Sequence, residues 1–445
     1  MPRVSLYTLG CKLNFAETST ISREFRKRSF DVVPFGEPAD VTVINTCTVT
    51  EQAEQKCRNV VRRAVRDGQN PFIIVTGCYA QMRPHDIAAI EGVDLVLGNA
   101  EKTKLFDIAR SFVGDEKTQI AVSCIDDVEK FGPAYAASER TRAFLKIQDG
   151  CDYSCSFCTI PMARGRSRSA PLTETVDQAE EIAAAGCKEI VLSGVNVGLY
   201  GREHGASLLE LIMRLDEVAG VDRFRISSIE PNLLTDEIVD FVAASERFMP
   251  HFHVPLQSGD NRVLGTMRRR YRREAYADRV DYILDRMPHA CIGADVIVGS
   301  PGESTDAFES TRDFIVDLPL AYLHVFTYSE RPDTTAVQNV IDGTSDSVPR
   351  ATRRERSRTL RLLSDRMRST FYASQAGKER NVLWESANSD GSMYGYTDNY
   401  VRVQTEFDEQ RTGSVELVTL GQETLNGCVN VADATIALPI IQQMQ

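Results

Sequence analysis

The stretch Cys151-Asp152-Tyr153-Ser154-Cys155-Ser156-Phe157-Cys158 sets three cysteines in a C-x3-C-x2-C spacing. Three thiolates this close can hold three corners of a [4Fe-4S] cube, and a fourth cysteine would be needed to close it. No cysteine follows until Cys187, so one iron keeps an open coordination position. An open iron can chelate a small molecule, which a pure electron carrier has no need of. A zinc knuckle is the competing reading, but zinc takes four closed ligands, commonly in C-x2-C pairs. No second pair exists in this chain.

Outward from this loop the pattern is alternating strand and helix. The apolar run Ala143 to Ile147 reads as a strand that ends just before the cysteines. Further strands are expected at Glu189 to Leu192, Arg223 to Ile229, His251 to Pro255, Ala290 to Val298 and Tyr322 to Tyr328. Helical periodicity falls between them, as in Thr173 to Ala185, Leu208 to Val218 and Arg272 to Arg286. About six β/α units fit over 143–370, fewer than the eight of a closed barrel. The expectation is an incomplete (β/α)6 barrel, open at one side to a large substrate. The three cysteines then sit on its first βα loop, where barrel chemistry is found.

A second trio lies upstream. Cys11, Cys47 and Cys78 each follow a short β-branched run: Val4 to Gly10, Val41 to Thr46 and Phe72 to Gly77. Runs of this length read as buried strands. The segment Glu51 to Arg66 between two of them is helix-like, with Val60, Val61 and Val65 on one side. Strands alternating with helices form a parallel sheet, and ligands bind beyond the carboxyl ends of such strands. Residues 1–125 are therefore expected to form an open parallel-sheet domain that gathers Cys11, Cys47 and Cys78 at one edge. Three cysteines there can hold a second cube with an open iron; three unrelated buried thiols are the alternative.

The polar stretch 126–142, with Gly132-Pro133, reads as a linker. Beyond the barrel, short β-rich runs at Val382 to Glu385, Tyr400 to Thr405 and Gly413 to Leu420 alternate with Gly and Asn turns. They indicate a small antiparallel β-barrel over 372–440. The fold class is thus α/β in three parts.

Eleven cysteines, an odd number, in a chain with no secretory h-region argue against a disulfide framework and for the cytoplasm. Cys57, Cys124, Cys187, Cys291 and Cys428 lack ligand spacing and read as small hydrophobes. No apolar run reaches the length of a membrane span. The net charge of −12 is unevenly spread. Arg268, Arg269 and Arg270 form a dense block, and 350–368 holds eight arginines against Glu355 and Asp365. Such tracts are either RNA-binding surfaces or solvated helix faces. The span 372–445 has four Lys or Arg against ten Asp or Glu, so the arginine-rich barrel segments are the better candidates for gripping RNA.

The cysteine spacing, with an aromatic just before Cys158, resembles the radical S-adenosylmethionine (SAM) superfamily. More specifically, the chain resembles its methylthiotransferase family along nearly the whole length. Thr8 to Asn14, Asn45 to Thr50 and Thr76 to Cys78 match that family's auxiliary-cluster motifs. Gln148 to Pro161 with Arg164-Gly165-Arg166 match its SAM-cluster segment, and Gly395 to Val403 is similar to its C-terminal TRAM domain, an RNA-binding barrel. The resemblance implies SAM and two [4Fe-4S] clusters. Cys151, Cys155 and Cys158 would hold the radical-generating cluster, and Cys11, Cys47 and Cys78 the cluster from which sulfur is delivered.

The resemblance also implies an electron donor of flavodoxin or ferredoxin type and a substrate of tRNA, at adenosine 37 in the anticodon stem-loop. The segment Gly10-Cys11-Lys12-Leu13-Asn14 resembles the branch acting on N6-threonylcarbamoyladenosine. The alternatives are the isopentenyladenosine branch and the branch modifying a ribosomal-protein aspartate; a nonenzymatic iron–sulfur or RNA-binding module is the rival outside the enzymes. Phe157, Ser193, Gly194, Glu230 and Gln257 are expected SAM contacts. Arg331 is a candidate anchor for the threonyl carboxylate. In the segment Arg331-Pro332-Asp333-Thr334 the chain has Asp where the family often has Gly. Asp tolerates unusual backbone angles better than most residues, so the loop is expected to survive.

Overall fold

β-Branched residues build the first sheet. The computed structural model describes residues 1–67, 71–112, 118–137, 141–387, 391–423 and 427–432. In it β1 (Arg3–Thr8), β2 (Asp31–Val33), β3 (Val41–Thr46), β4 (Phe72–Gly77), β5 (Leu95–Leu97) and β6 (Gln119–Ala121) form one six-stranded sheet in the order β2-β1-β3-β4-β5-β6. All its pairings are parallel. The helix Lys12–Lys27 covers one face through Ile21 and Phe25, and the helix Glu51–Asp67 the other through Val60, Val61 and Ala64. Cys11, Cys47 and Cys78 follow β1, β3 and β4, which are neighbours in the sheet, so the three reach one carboxyl edge together.

The expected linker is not a plain connector. Ala134–Ala136 forms β7, which pairs antiparallel with β8 (Arg142–Lys146) and extends the barrel sheet. Two small alanines let the Lys12–Lys27 helix pack close, with Phe15 and Ala16 against Ala134, Ala136 and Phe144. After the two-residue strand β9 (Gln148–Asp149) and its antiparallel partner β10 (Arg168–Ser169), the barrel continues through β11 (Glu189–Ser193), β12 (Arg223–Ile226), β13 (His251–His253), β14 (Cys291–Val298) and β15 (Tyr322–Thr327). With β8 these make six parallel strands. The two halves of the sheet meet where Phe224 bridges Phe248. One large apolar cluster lies between these strands and their helices.

The last strands, β16 (Glu379–Ala387), β17 (Ser392–Thr397), β18 (Arg402–Glu406), β19 (Val415–Glu423) and β20 (Val429–Val431), close into a barrel around Trp384. The barrel is antiparallel except for one parallel pairing, β18 with β20. Residues 433–440, assigned to it from sequence, lie outside the described residues. Its segment 395–403 is turned inward, against the amino end of the (β/α)6 barrel. Arg223 donates to the carbonyls of Tyr396 (3.0 Å) and Asn381 (2.6 Å), and Arg225 to those of Asp398 and Thr397 (both 2.7 Å). Tyr400 has φ +68°, uncommon for a bulky residue, and stacks on His251 at 4.1 Å. It forms the floor of the barrel interior.

Candidate functional site

At the first edge, backbone and polar side chains fix the three upstream cysteines. Asn14 donates to the carbonyls of Leu9 (2.7 Å) and Thr46 (2.9 Å), tying the Cys11 loop to the Cys47 loop. The Thr46 hydroxyl donates to the carbonyl of Thr76 (2.6 Å) and accepts from Ala80 N (3.3 Å), tying Cys47 to the Cys78 loop. Gly77 at φ +101° leads into Cys78; a Cβ there would lie 2.4 Å from Asn45 Oδ1, so only glycine fits. Cys47 and Cys78 are buried and Cys11 is exposed. Burial, reinforced by Cys78 and Cys11, pushes the Cys47 thiol up to about 12, and burial raises Cys78. Thiols held this high become ligands only when a metal displaces the proton. Cys57, read from sequence as a structural thiol, packs on Cys47 and bonds its N and O at 3.4 Å. Cys124 differs from the buried-hydrophobe reading in being exposed.

The second trio sits on the loop after β8. Gly150 takes φ +68°, and a Cβ would lie 2.0 Å from the Arg166 carbonyl. Each sulfur faces a donor: Tyr153 N to Cys151 Sγ and Ile160 N to Cys158 Sγ at 3.4 Å, and Arg269 Nη1 to Cys155 Sγ at 3.2 Å. Burial pushes Cys151 to about 11 and Cys158 to about 12. Phe157 packs against Val263, Met267 and Ala307 and so holds the loop to the barrel. The Gln148 side-chain oxygen Oε1 accepts from Val195 and Asn196 N, both at 2.9 Å, which clamps the loop holding Ser193 and Gly194 beside the cysteines.

Buried polar atoms at the strand ends around this loop that have no partner among the described residues include Asn196 Oδ1, Ser227 Oγ and Gln257 Oε1. They follow β11, β12 and β13. Gln257 is held at φ +64°. Orphaned polar groups at successive strand ends fit a polar cofactor that supplies the missing hydrogen bonds. Glu230 is placed with them, paired to Arg269. Arg269 thereby leaves the set of expected RNA contacts: its side chain is 3% exposed, spent between Glu230 and Cys155. Arg268 and Arg270 are exposed, and Arg270 lies 4.0 Å over the Tyr153 ring.

Arg331 is also placed differently from its expected role. It donates to Thr48 Oγ1 (3.0 Å) and pairs with Glu54, both on the segment after Cys47. Its charge is matched, so it latches two domains rather than waiting for a carboxylate. Asp333 takes φ +69°, the backbone that glycine usually fills, and pairs with Arg83 of the first domain at 2.8 Å.

A buried ionic cluster lies between the two trios. Glu17, on the helix after Cys11, contacts Arg164 (3.0 Å), Lys146 (2.9 Å) and Lys102 (2.6 Å), while Arg164 also holds Asp149 (2.9 Å) and Asn14 Oδ1 (2.6 Å). Burial opposes ionisation of Glu17 and Asp149, but the surrounding cations outweigh it and hold both carboxyls below the usual range.

Beneath Cys11 a cavity of about 420 Å³ runs through the barrel to Tyr400. Its wall is cationic and aromatic: Lys12, Arg142 and Arg225 with His251, His253, Tyr322 and His324. Lys12 is exposed. His253 and His324 approach Asp295 Oδ1 at 2.9 and 3.3 Å. His251 and His253 lie on β13 and line this cavity with Lys12, Arg225 and Tyr400, none of which sequence reading offered as a site residue. The visible signal was charge inside β-runs, as at Glu189, Arg223 and Arg225.

The chain matches two family profiles, one described as uncharacterized protein family UPF0004 over residues 3–98 and the radical SAM superfamily over 145–315. It is 38% identical to the threonylcarbamoyladenosine tRNA methylthiotransferase MtaB of Bacillus subtilis, covering 94% of each chain. It is 36% identical to the protein of that name from Aquifex aeolicus, covering 91% of this chain and 97% of that one. A tRNA-2-methylthio-N(6)-dimethylallyladenosine synthase of Pseudothermotoga lettingae is 29% identical over 88% and 90%. In fold it is similar to the radical SAM methyltransferase TsrM of Kitasatospora setae, with TM-score 0.60, 16% identity and 77% and 76% of the chains covered. Among the described residues no helix is long and apolar enough to cross a membrane.

Proposed function

Because the chain belongs to the methylthiotransferase family of radical-SAM enzymes, we propose that it converts N6-threonylcarbamoyladenosine at position 37 of tRNA to the 2-methylthio derivative. The observation that carries the substrate is the cavity under Cys11. Its three cations and five polar aromatic rings suit a threonyl group with its carboxylate, hydroxyl and urea. A dimethylallyl group brings no charge or hydrogen-bonding group to pair with Lys12, and it would strip water from the polar wall without replacing it, which is costly. The cavity therefore disfavours the activity named for the Pseudothermotoga lettingae protein.

Cys151, Cys155 and Cys158 hold a [4Fe-4S] cluster, and Asn196, Ser227, Glu230 and Gln257 are suited to receive SAM beside it. Cys11, Cys47 and Cys78 hold a second cluster. The two clusters with SAM supply radical hydrogen abstraction and sulfur delivery, chemistry that no general base can perform at an unactivated C–H bond. The chain's own work is positioning. Asn14 and Arg164 fix one trio against the other, and the cavity walls orient the adenosine between them. A one-electron donor of flavodoxin or ferredoxin type is the required protein partner. The exposed stripe Arg354, Arg358 and Arg361, on one face of the helix Arg350–Ala373, suits the backbone of the anticodon stem.

The test is competition between two anticodon stem-loops, one bearing threonylcarbamoyladenosine and one isopentenyladenosine, offered together to the reduced, cluster-loaded enzyme with SAM. Methylthiolation of the first is expected, and preference for the second would reverse the assignment.

A further inference from the structure

Three Lys or Arg side chains line the cavity under Cys11, and two are already engaged. Arg142 pairs with Glu385 at 3.1 Å and approaches Glu189 at 4.0 Å. Arg225 donates to Glu189 Oε1 at 3.0 Å and to two backbone carbonyls at 2.7 Å. The imidazoles are engaged as well, His251 with Tyr322 and the other two with Asp295. Lys12 alone among these cations has no ion pair or hydrogen bond among the described residues. Lys12 is exposed on the cavity wall, so its ammonium is hydrated and available to pair with a ligand that brings a carboxylate.

Its place in the chain matters equally. Lys12 directly follows Cys11, so its ammonium enters the cavity from the rim of the auxiliary site. In the adenine ring, C2 and the carbon bearing the ureido arm both flank N1. A base presenting C2 to that site therefore brings its threonyl arm to the same side. Resting on the reading above, we propose that the Lys12 ammonium anchors the threonyl carboxylate and thereby selects the substrate. The remaining wall supplies ring faces and matched charges; Lys12 supplies the one charge that a neutral N6 substituent cannot satisfy.

The experiment uses cluster-loaded enzyme and two stem-loop RNAs, one with the natural carboxylate and one with the threonyl group as its carboxamide. The readout is the ratio of their kcat/KM values, which is independent of the fraction of active enzyme in each preparation. A hydrogen bond to a charged group corresponds to roughly a 10- to 100-fold preference, and the wild type is expected to favour the carboxylate by about that factor. Lys12→Met should bring the ratio near one, mainly through KM, and Lys12→Arg should keep most of the preference. Wild-type selectivity that persists in Lys12→Met overturns the anchor while leaving the methylthiotransferase reading intact. A wild type that modifies neither RNA overturns that reading and the anchor with it.

Discussion

Arg164 and Glu17 meet at 3.0 Å in the buried seam between the two cysteine trios. Arg164 ends the short helix that follows Cys158, and Glu17 lies on the helix that follows Cys11. The same guanidinium reaches Asn14, which ties the Cys11 and Cys47 loops. One side chain thus registers the radical site on the auxiliary site. Breaking a buried pair by removing one partner leaves an uncompensated charge and costs about 3–5 kcal/mol. Glu17→Gln strands Lys102 and leaves Arg164 and Lys146 to share Asp149, and should lower the apparent melting midpoint markedly, which differential scanning calorimetry checks.

The seam also sets an acid limit. Glu17 and Asp149 have folded-state pKa values below their unfolded values. Groups shifted this way stabilise the fold above the unfolded carboxylate range, about pH 4, and lose that contribution as pH falls toward the folded values. Stability from the seam should be flat between pH 5 and 8, on the order of the physiological range, and fall steeply on acidification. Glu17→Gln should flatten the acid limb, as read by urea midpoints across pH; an unchanged limb would place the acid sensitivity elsewhere.

Cys47 and Cys57 separate ligand from neighbour. Both are buried and they touch, yet only Cys47 follows a strand that edges the auxiliary site. Cys47→Ala should reduce iron from about eight to about four per chain, since each cube holds four. Cys57→Ser should retain nearly the full complement. Iron assay with Mössbauer spectroscopy distinguishes the two outcomes.

At the cofactor side, Glu230 and Arg269 bridge the Cys155 sulfur to the strand ends where SAM is expected. Glu230→Gln keeps the shape and removes the charge. SAM affinity should weaken by roughly 10-fold, the scale of one charge-assisted hydrogen bond, measured by equilibrium dialysis. Unaltered affinity would show that Glu230 serves only Arg269.

For tRNA, replacing Arg354, Arg358 and Arg361 with Gln should reduce affinity and the salt dependence together. Each lost phosphate contact lowers the slope of log K against log salt by about 0.9 on duplex and about 0.7 on single strand. The comparison is a salt titration of filter binding, and a parallel slope would remove the stripe from the interface.

Much of this was legible in sequence because strand ends and cysteine spacing are local signals. The six barrel strands and the Cys11, Cys47 and Cys78 strand ends stand where β-branched runs placed them. What stayed hidden was pairing across long sequence separations. Arg331 and Arg269 read as free cations because their partners, Glu54 and Glu230, lie 277 and 39 residues away. β7 was concealed by a polar, proline-containing stretch whose strand depends on two alanines fitting against a helix from another domain. Lys12 was visible only as part of a motif; that it alone remains unpaired is a property of the folded cavity.

Nucleoside mass spectrometry tests the central claim most directly: tRNA from cells lacking the modification, with and without this protein expressed. The account predicts that threonylcarbamoyladenosine gains the mass of a methylthio group, and that Cys11→Ala, Cys47→Ala and Cys78→Ala abolish the gain. A methylthio group appearing on isopentenyladenosine instead, or on no nucleoside despite full iron loading, would contradict it.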